Sequence, residues 1–446
     1  MKARTTRAAW SVFAAYGAAG FAIGTLASRL PTVRSGLGVS SSQMGVVLLL
    51  WSLGSVLALP LSSAVSARLG TARSAAAASV AAGLGHLTLA LAVTLGSVPL
   101  AIAGLFTAGM GEGVWNAATS IQGADVERRL GYPAMSRFQA GESLGTVSGS
   151  LAGALIAATG LPLFAHFGLS AALAITVGVL SARAFLPALD TPGRGTPAGT
   201  RPRGGAVRET LAVWREPRTL LIGLVILGAA LAEGSASDWT GVALVAGFDA
   251  SESVAATGVT LFFASMLVMR LAGSSIVQRI GRVATLRLCT GSVLAGLSLF
   301  VLSPSLPLAL AGSLLWGAGA ALGFPLGISA ASDDPAKAAM RVSVVTTIGF
   351  SAYILGPGVI GAIAGHVGYR AALLVIAIPA VCALVAARAA RPLPVAADDA
   401  STGGDELSDL DTPVSGTLTE ADLMLLTDPA RSATPRDAEL AATAAR

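Results

Sequence analysis

Apolar residues along this chain come in long runs separated by short polar connections. A helix that crosses the hydrocarbon layer of a membrane needs about 20 predominantly apolar residues, within a range of roughly 17 to 25. Runs of that length cover 9–28, 44–65, 75–93, 98–122, 138–159 and 163–185, and again 220–242, 254–277, 283–302, 306–329, 343–364 and 371–389. Between the two groups of six lies a stretch rich in proline, glycine and arginine, which reads as a solvated linker. The pattern predicts an all-α membrane protein of twelve transmembrane helices in two pseudo-symmetric six-helix bundles, 1–186 and 219–390, joined by a cytoplasmic linker at 187–218. Beyond Arg391 the composition turns to Asp, Glu, Ser and Thr. Residues 391–446 are therefore expected to form a disordered tail, with at most a short helix near 420–426.

Composition agrees with a lipid environment. Of 446 residues, 54% are hydrophobic and 12% charged, against about 25% charged in soluble domains. The 53 glycines and the abundant alanine suit close helix packing in lipid. A formal net charge of +5 would suit nucleic acid, but the basic residues sit in short connections rather than on a patch, so no nucleic-acid partner is expected. Lys2, Arg4 and Arg7, then Arg68 and Arg73, Arg128, Arg129 and Arg137, Arg279, Arg282 and Arg287, and Lys337 and Arg341 all fall, with the linker, on one side of the membrane. Lysine and arginine mark the cytoplasmic side. Both termini are thus expected in the cytoplasm of a multi-pass plasma (inner) membrane protein. The first run ends at Arg29-Leu30-Pro31 without a small-residue cleavage pattern, so it reads as a membrane helix rather than a signal peptide. Arg29, Arg34 and Arg370 break the charge rule and are candidates for special roles.

An internal repeat supports two related halves. His166-Phe167-Gly168 leading into the sixth helix recurs as His366-Val367-Gly368 before the twelfth. Arg68-Leu69-Gly70 recurs as Arg279-Ile280-Gly281, and Ala103-Gly104 with Gly109 and Gly111 recurs as Ala311-Gly312 with Gly317 and Gly319. Parallel halves place a substrate site at their interface near the bilayer midplane.

Twelve helices as six plus six, a basic central linker and Arg-x-Gly after the second and eighth helices together resemble the major facilitator superfamily, over roughly residues 8–390. The family pattern Gly-x-x-x-Asp-Arg-x-Gly-Arg-Arg is kept at Arg68 and Gly70, with Ala67 where the aspartate belongs, and is kept further in Gln278-Arg279-Ile280-Gly281-Arg282. The resemblance implies gating roles for Arg68 and Arg279. Arg29-Leu30-Pro31-Thr32-Val33-Arg34, the 116–127 segment, Met135-Ser136, and Ala232-Glu233-Gly234 with Asp238-Trp239 resemble an uncharacterised bacterial branch related to fucose-permease-type sugar permeases. That likeness implies a proton-coupled permease. The Gly-Pro pair that drug antiporters carry in the fifth helix is replaced here by Ser148-Gly149, and Gly356-Pro357 stands in the eleventh.

Charges inside a membrane helix cost about 2.5 to 3.5 kcal/mol each and are functional candidates by default. Glu112 lies near the middle of the fourth helix, where its repeat counterpart is Ala320, and Asn116 follows on the same face. Burial disfavours the charged form of a carboxyl, which suits Glu112 to take up and release a proton; the competing reading pairs it structurally with an arginine such as Arg270. Glu233 is similarly deep in the seventh helix. Arg270, in the eighth, is a counter-charge for one of the buried carboxylates. Glu142 near the start of the fifth helix is expected at an intracellular gate or against Arg137. Arg29 and Arg34 flank Pro31, where they either greet an anionic or hydroxylated solute or snorkel into headgroups; the first reading fits Arg29, which is nearer the apolar run. Asp238 and Trp239 are expected near the outer interface, with the tryptophan as an aromatic anchor.

The glycine runs at 145–153 and 317–323 mimic phosphate-loop spacing but lack a Lys-Ser/Thr ending, so helix packing explains them. His86, His166 and His366 never fall at ligand spacing, the last two in matching outer loops; Cys289 and Cys382 lie in apolar runs. No metal site or cofactor is expected, and no nucleophile, base and metal converge as an enzyme needs. The expected function is secondary active transport of a small solute with protons, by alternating access in a single chain, import of a sugar-like solute being preferred. Efflux of an amphiphilic compound and a non-transporting sensor with the same fold are the alternatives.

Overall fold

The breaks between apolar runs carry their own stop and start chemistry. Ser40 caps the second helix by accepting from the Gln43 N–H while the Gln43 side chain accepts from Ser40 N–H, and Ser251 caps the eighth by accepting from Val254 N–H. Gly70 and Gly281 end the second and eighth helices with φ of +80° each, in the region that favours glycine. The repeated Arg-x-Gly sequence is therefore a repeated backbone turn.

The computed structural model describes residues 2–130, 134–186, 212–334 and 337–393. Up to the linker the helices are α1 Lys2–Leu37, α2 Ser41–Leu69, α3 Thr71–Leu95, α4 Val98–Leu130, α5 Met135–Thr159 and α6 Leu163–Arg183. After it come α7 Pro217–Phe248, α8 Glu252–Ile280, α9 Arg282–Leu302, α10 Leu306–Ala331, α11 Ala338–Val367 and α12 Tyr369–Ala390. Residues 187–211 and the tail from 394, with the helix expected near 420–426, lie outside the described residues.

Three details differ from the sequence reading. The first apolar run stops at 28, yet α1 continues through Pro31 to Leu37, because Leu30 and Val33 beyond the break are buried in the core. Among the described residues, eleven of the twelve helices are long and apolar enough to cross a membrane; α5 has the length but not the composition, since Arg137, Gln139, Glu142, Ser143, Thr146 and Ser148 dilute it. His166 sits inside α6, buried, with Gly168 also helical, whereas His366 is exposed in the last turn of α11 and Gly368 is a turn. Those two histidines do not occupy matching loops.

Small residues set the packing. A side chain on Gly20 or Gly24 of α1 would place its Cβ 2.0 Å from the Glu142 carbonyl oxygen or 2.1 Å from that of Thr146, so α1 and α5 touch backbone to backbone. Gly145 and Gly149 do the same from α5, and Gly317 of α10 lies against the Phe262 carbonyl of α8. The glycine runs are packing surfaces. Many leucines nevertheless point outward, among them Leu155, Leu169, Leu271 and Leu302. An apolar exterior of this kind fits a lipid surround.

The halves meet where α1 packs on α7 and α8, α2 on α11, and α5 on α8. At the bundle end opposite the start of α1 and the end of α12, Thr32 Oγ1 donates to Glu252 Oε2 at 2.7 Å, Ser253 Oγ to the Ala154 carbonyl at 3.0 Å, and Ser42 Oγ to the Gly361 carbonyl at 3.5 Å. Each of the three bonds crosses between halves.

Candidate functional site

A broken helix prepares the central site. Pro325 has no N–H to give the carbonyl four residues earlier, and α10 turns at Ala321 and Leu322 between its two helical segments. The freed Ala321 carbonyl accepts from Arg270 Nε at 3.4 Å. The same guanidinium holds both oxygens of Glu233 at 3.1 Å and donates to Ser143 Oγ at 3.0 Å. Arg270 thus ties α7, α8 and α10 of one half to α5 of the other. Tyr353 of α11 stands beside Gly234, whose missing side chain leaves room for the ring, and within electrostatic reach of Glu233, Arg270, Glu142 and Asp238.

The first half supplies a facing chain of polar groups. Asn116 Nδ2 donates to Glu142 Oε1 at 3.4 Å, Ser120 Oγ donates to Asn116 Oδ1 at 3.4 Å, and Tyr16 OH meets Ser120 Oγ at 2.7 Å. Glu142 lies within electrostatic reach of Arg270 and Glu233. Its hydrogen-bond partner is thus Asn116, and its electrostatic neighbours are the central charges. The i, i+4 spacing that groups Glu112 with Asn116 holds, and Glu112 is 7% exposed. Trp51 Nε1 donates to Glu112 Oε2 at 2.9 Å, and His86 Nε2 lies 3.3 Å from Oε1. The competing pairing with Arg270 is not what the structure holds, because that arginine is taken by Glu233.

The arginines that break the charge rule are anchored. Arg29 is buried and lies 3.7 Å from Glu252, across the halves, with Thr32 on the same carboxylate oxygen. Arg34 lies over the Tyr369 ring at 4.9 Å, and Arg370 caps the end of α9 by donating to the Val301 carbonyl at 2.6 Å while lying 4.1 Å over Phe248. Trp239 is fully buried and packs on Tyr369 at 5.6 Å, so it anchors the bundle interior rather than the lipid interface. Asp238 is buried beside it. Cys289 is buried as expected, whereas Cys382 is exposed on α12.

Arg68 and Arg279 are exposed in the last turns of α2 and α8, and neither is in an ion pair among the described residues. The ionic network at this end uses neighbours instead. Asp333 receives both Arg218 and Arg282 at 2.9 Å, and Glu216 receives Arg341 at 2.7 Å and Lys337 at 3.1 Å. The Arg341 hydrogen bond, with help from Lys337 and Thr219, holds the Glu216 carboxyl down at about 2. In the first half Asp125 pairs with Arg128, and Glu127 accepts from the N–H groups of Ala134 and Met135 at the start of α5. Asp125 and Asp333 are related by the same spacing as Gly109 and Gly317, a signal in the sequence that points to both. Among the described residues no cluster of three or more His, Cys, Asp or Glu could hold a metal ion.

Comparison with known proteins agrees with this architecture. The profile of the Major Facilitator Superfamily matches residues 12–333 and 236–436. An uncharacterised transporter of Sinorhizobium fredii, y4wD, is 33% identical over 350 residues, which is 77% of this chain and 88% of that protein. Among solved structures, a variant of the nucleoside transporter NupG superposes with a TM-score of 0.69 at 16% identity, covering 87% of this chain and 99% of that one. The E. coli fucose:proton symporter FucP superposes with a TM-score of 0.57 at 14% identity, covering 86% and 98%.

Proposed function

Because this chain belongs to the Major Facilitator Superfamily, we propose that it is a secondary active transporter that moves a small polar solute together with protons by alternating access between its two halves. One observation carries the reading. Arg270 of the second half reaches Ser143 of the first at 3.0 Å while paired with Glu233, so half-buried polar groups of both halves meet at one place, which supports a shared chamber between them. Charged groups inside a membrane bundle usually face such a chamber and mark a solute or proton path. Asn116, Glu142, Glu233, Arg270 and Tyr353 offer donors and acceptors to a hydroxylated solute. Glu112, set back in the first half against Trp51 and His86, is assigned the coupling proton. FucP is by name a fucose:proton symporter, which supports the coupling and a sugar-like cargo without fixing either.

Positive charge at the end of the bundle where α1 begins and α12 ends supports a cytoplasmic side there. The cross-half bonds at Thr32, Ser42 and Ser253 then lie on the outer side and support a closed gate there. The working unit is a single chain. The experiment is uptake of a panel of sugars, polyols and nucleosides into proteoliposomes with an imposed pH gradient. At least one solute should accumulate with the gradient and not without it, and accumulation should fail in Glu112→Gln. Gradient-independent movement of every solute that enters would overturn the coupling; silence of the whole panel would overturn transport of this solute class.

A further inference from the structure

The corner where α9 begins and α12 ends carries more positive charge than the described residues neutralise. Asp333 is the carboxylate there, and it is already shared by Arg218 and Arg282. Those two guanidinia also donate to the carbonyls of Ala389, Ala390 and Arg391 at the end of α12. Around them Arg287, Arg388 and Arg391 are exposed, and none of the three is in an ion pair among the described residues. They line two adjoining grooves that share Arg287, one running to Val385 and Arg388, the other to Leu288 and Arg391.

The fold itself does not require this charge. By the register that matches Arg68 to Arg279 and Gly70 to Gly281, the residue of α3 equivalent to Arg287 is Ala76. The walls are greasy as well as basic: Val385 is 74% exposed, and Ile378, Val381, Val385 and Arg388 follow one another on one face of α12. That stripe leads from the guanidinium into the depth of the bundle surface.

We propose that this groove is a site for an anionic diacyl phospholipid, with the phosphodiester held by Arg287, Arg388 and Arg391 and an acyl chain lying along Val385, Val381 and Ile378. Planar guanidinium forks match phosphate oxygens, and basic pockets between transmembrane helices bind acidic headgroups. A soluble phosphate would use the arginines but leave the apolar stripe bare, which favours the lipid.

The test is native mass spectrometry of the full chain in detergent, titrated with phosphatidylglycerol and, separately, phosphatidylcholine, with inorganic phosphate as a competitor. Phosphatidylglycerol should remain bound where phosphatidylcholine is lost. In Arg287→Ala/Arg388→Ala its affinity should fall roughly 30-fold, about fivefold for each arginine near an anionic lipid. The matched double Arg7→Ala/Arg73→Ala, which removes equal charge from the same end, should keep wild-type binding. In case the first double variant misfolds, hydrogen exchange on the wild-type chain in nanodiscs should show protection at 284–288 and 385–392 with phosphatidylglycerol and not with phosphatidylcholine. Equal retention of the two lipids, unchanged binding in the well-folded double variant, equal exchange in both nanodiscs, or displacement by equimolar phosphate would overturn the proposal.

Discussion

A carboxyl group held between an indole and an imidazole keeps a partner in both of its protonation states. The Trp51 N–H serves Glu112 when it is charged; His86 Nε2 lies 3.3 Å from the other oxygen, not hydrogen-bonded to it as placed, and a small rotation of the ring would let it accept the carboxyl proton when Glu112 is neutral. A buried polar group without a partner costs about 1 to 3 kcal/mol. His86→Phe should therefore slow gradient-driven uptake by roughly tenfold, the equivalent of about 1.4 kcal/mol, while His86→Gln, which can still accept, should keep more of it. Equal loss in the two variants, measured as initial uptake rates, would show that His86 only fills space. The Arg270 and Glu233 pair makes a second prediction at this scale. Removing one partner of an ion pair held partly out of water strands the other, so Arg270→Met and Glu233→Leu should each lower the melting temperature more than the double variant does. Additive losses would remove the coupling. Glu112, Glu233 and Arg270 were legible in the sequence because a charge in an apolar run is costly. Their partners were not, since Trp51, His86 and Tyr353 look like ordinary apolar-run residues until tertiary packing turns them toward the charges.

Helix contacts here depend on the absence of side chains. The Cβ of a larger residue at Gly24 would meet the Thr146 carbonyl at 2.1 Å, and backbone cannot step aside as a side chain can. Gly24→Val should cost about 3 kcal/mol or more, whereas Gly291→Ala, with nothing within 4 Å, should leave the melting temperature unchanged. Thermal unfolding in detergent reads both. At the start of α7, the Glu216 carboxyl sits at about 2 in the folded protein, below its ordinary 4.5, because of its bond to Arg341. A depressed carboxyl stabilises the fold above its unfolded value and loses that contribution as pH falls toward the folded one. The stability gap between wild type and Glu216→Gln should thus be full at neutral pH and shrink on acidification from about pH 5 toward pH 2. A gap that stays constant over that window would sever the link. The twelve elements were readable from run length alone, but the polar composition of α5 and the passage of α1 through Pro31 follow from what those segments pack against.

For the whole molecule the halves must separate at one end while staying joined at the other. At the end opposite the start of α1, the Cβ of a side chain at Gly365 would lie 3.3 Å from Ser42 Oγ, which is within reach of a disulfide between α2 and α11. In a Cys289→Ala/Cys382→Ser background, oxidising Ser42→Cys/Gly365→Cys should stop transport, and reduction should restore it. Full activity in the crosslinked state would contradict alternating access by movement of these ends. The two-half plan was visible in the repeated Arg-x-Gly and glycine spacings, whereas the His-x-Gly match misled because similar residues serve a helix interior in one half and a turn in the other. The most direct test of the account follows protons rather than solute. With a pH dye outside proteoliposomes and no imposed gradient, adding a transported solute should alkalinise the medium in wild type and leave it unchanged in Glu112→Gln. Solute entry without any change in external pH would contradict proton coupling through Glu112.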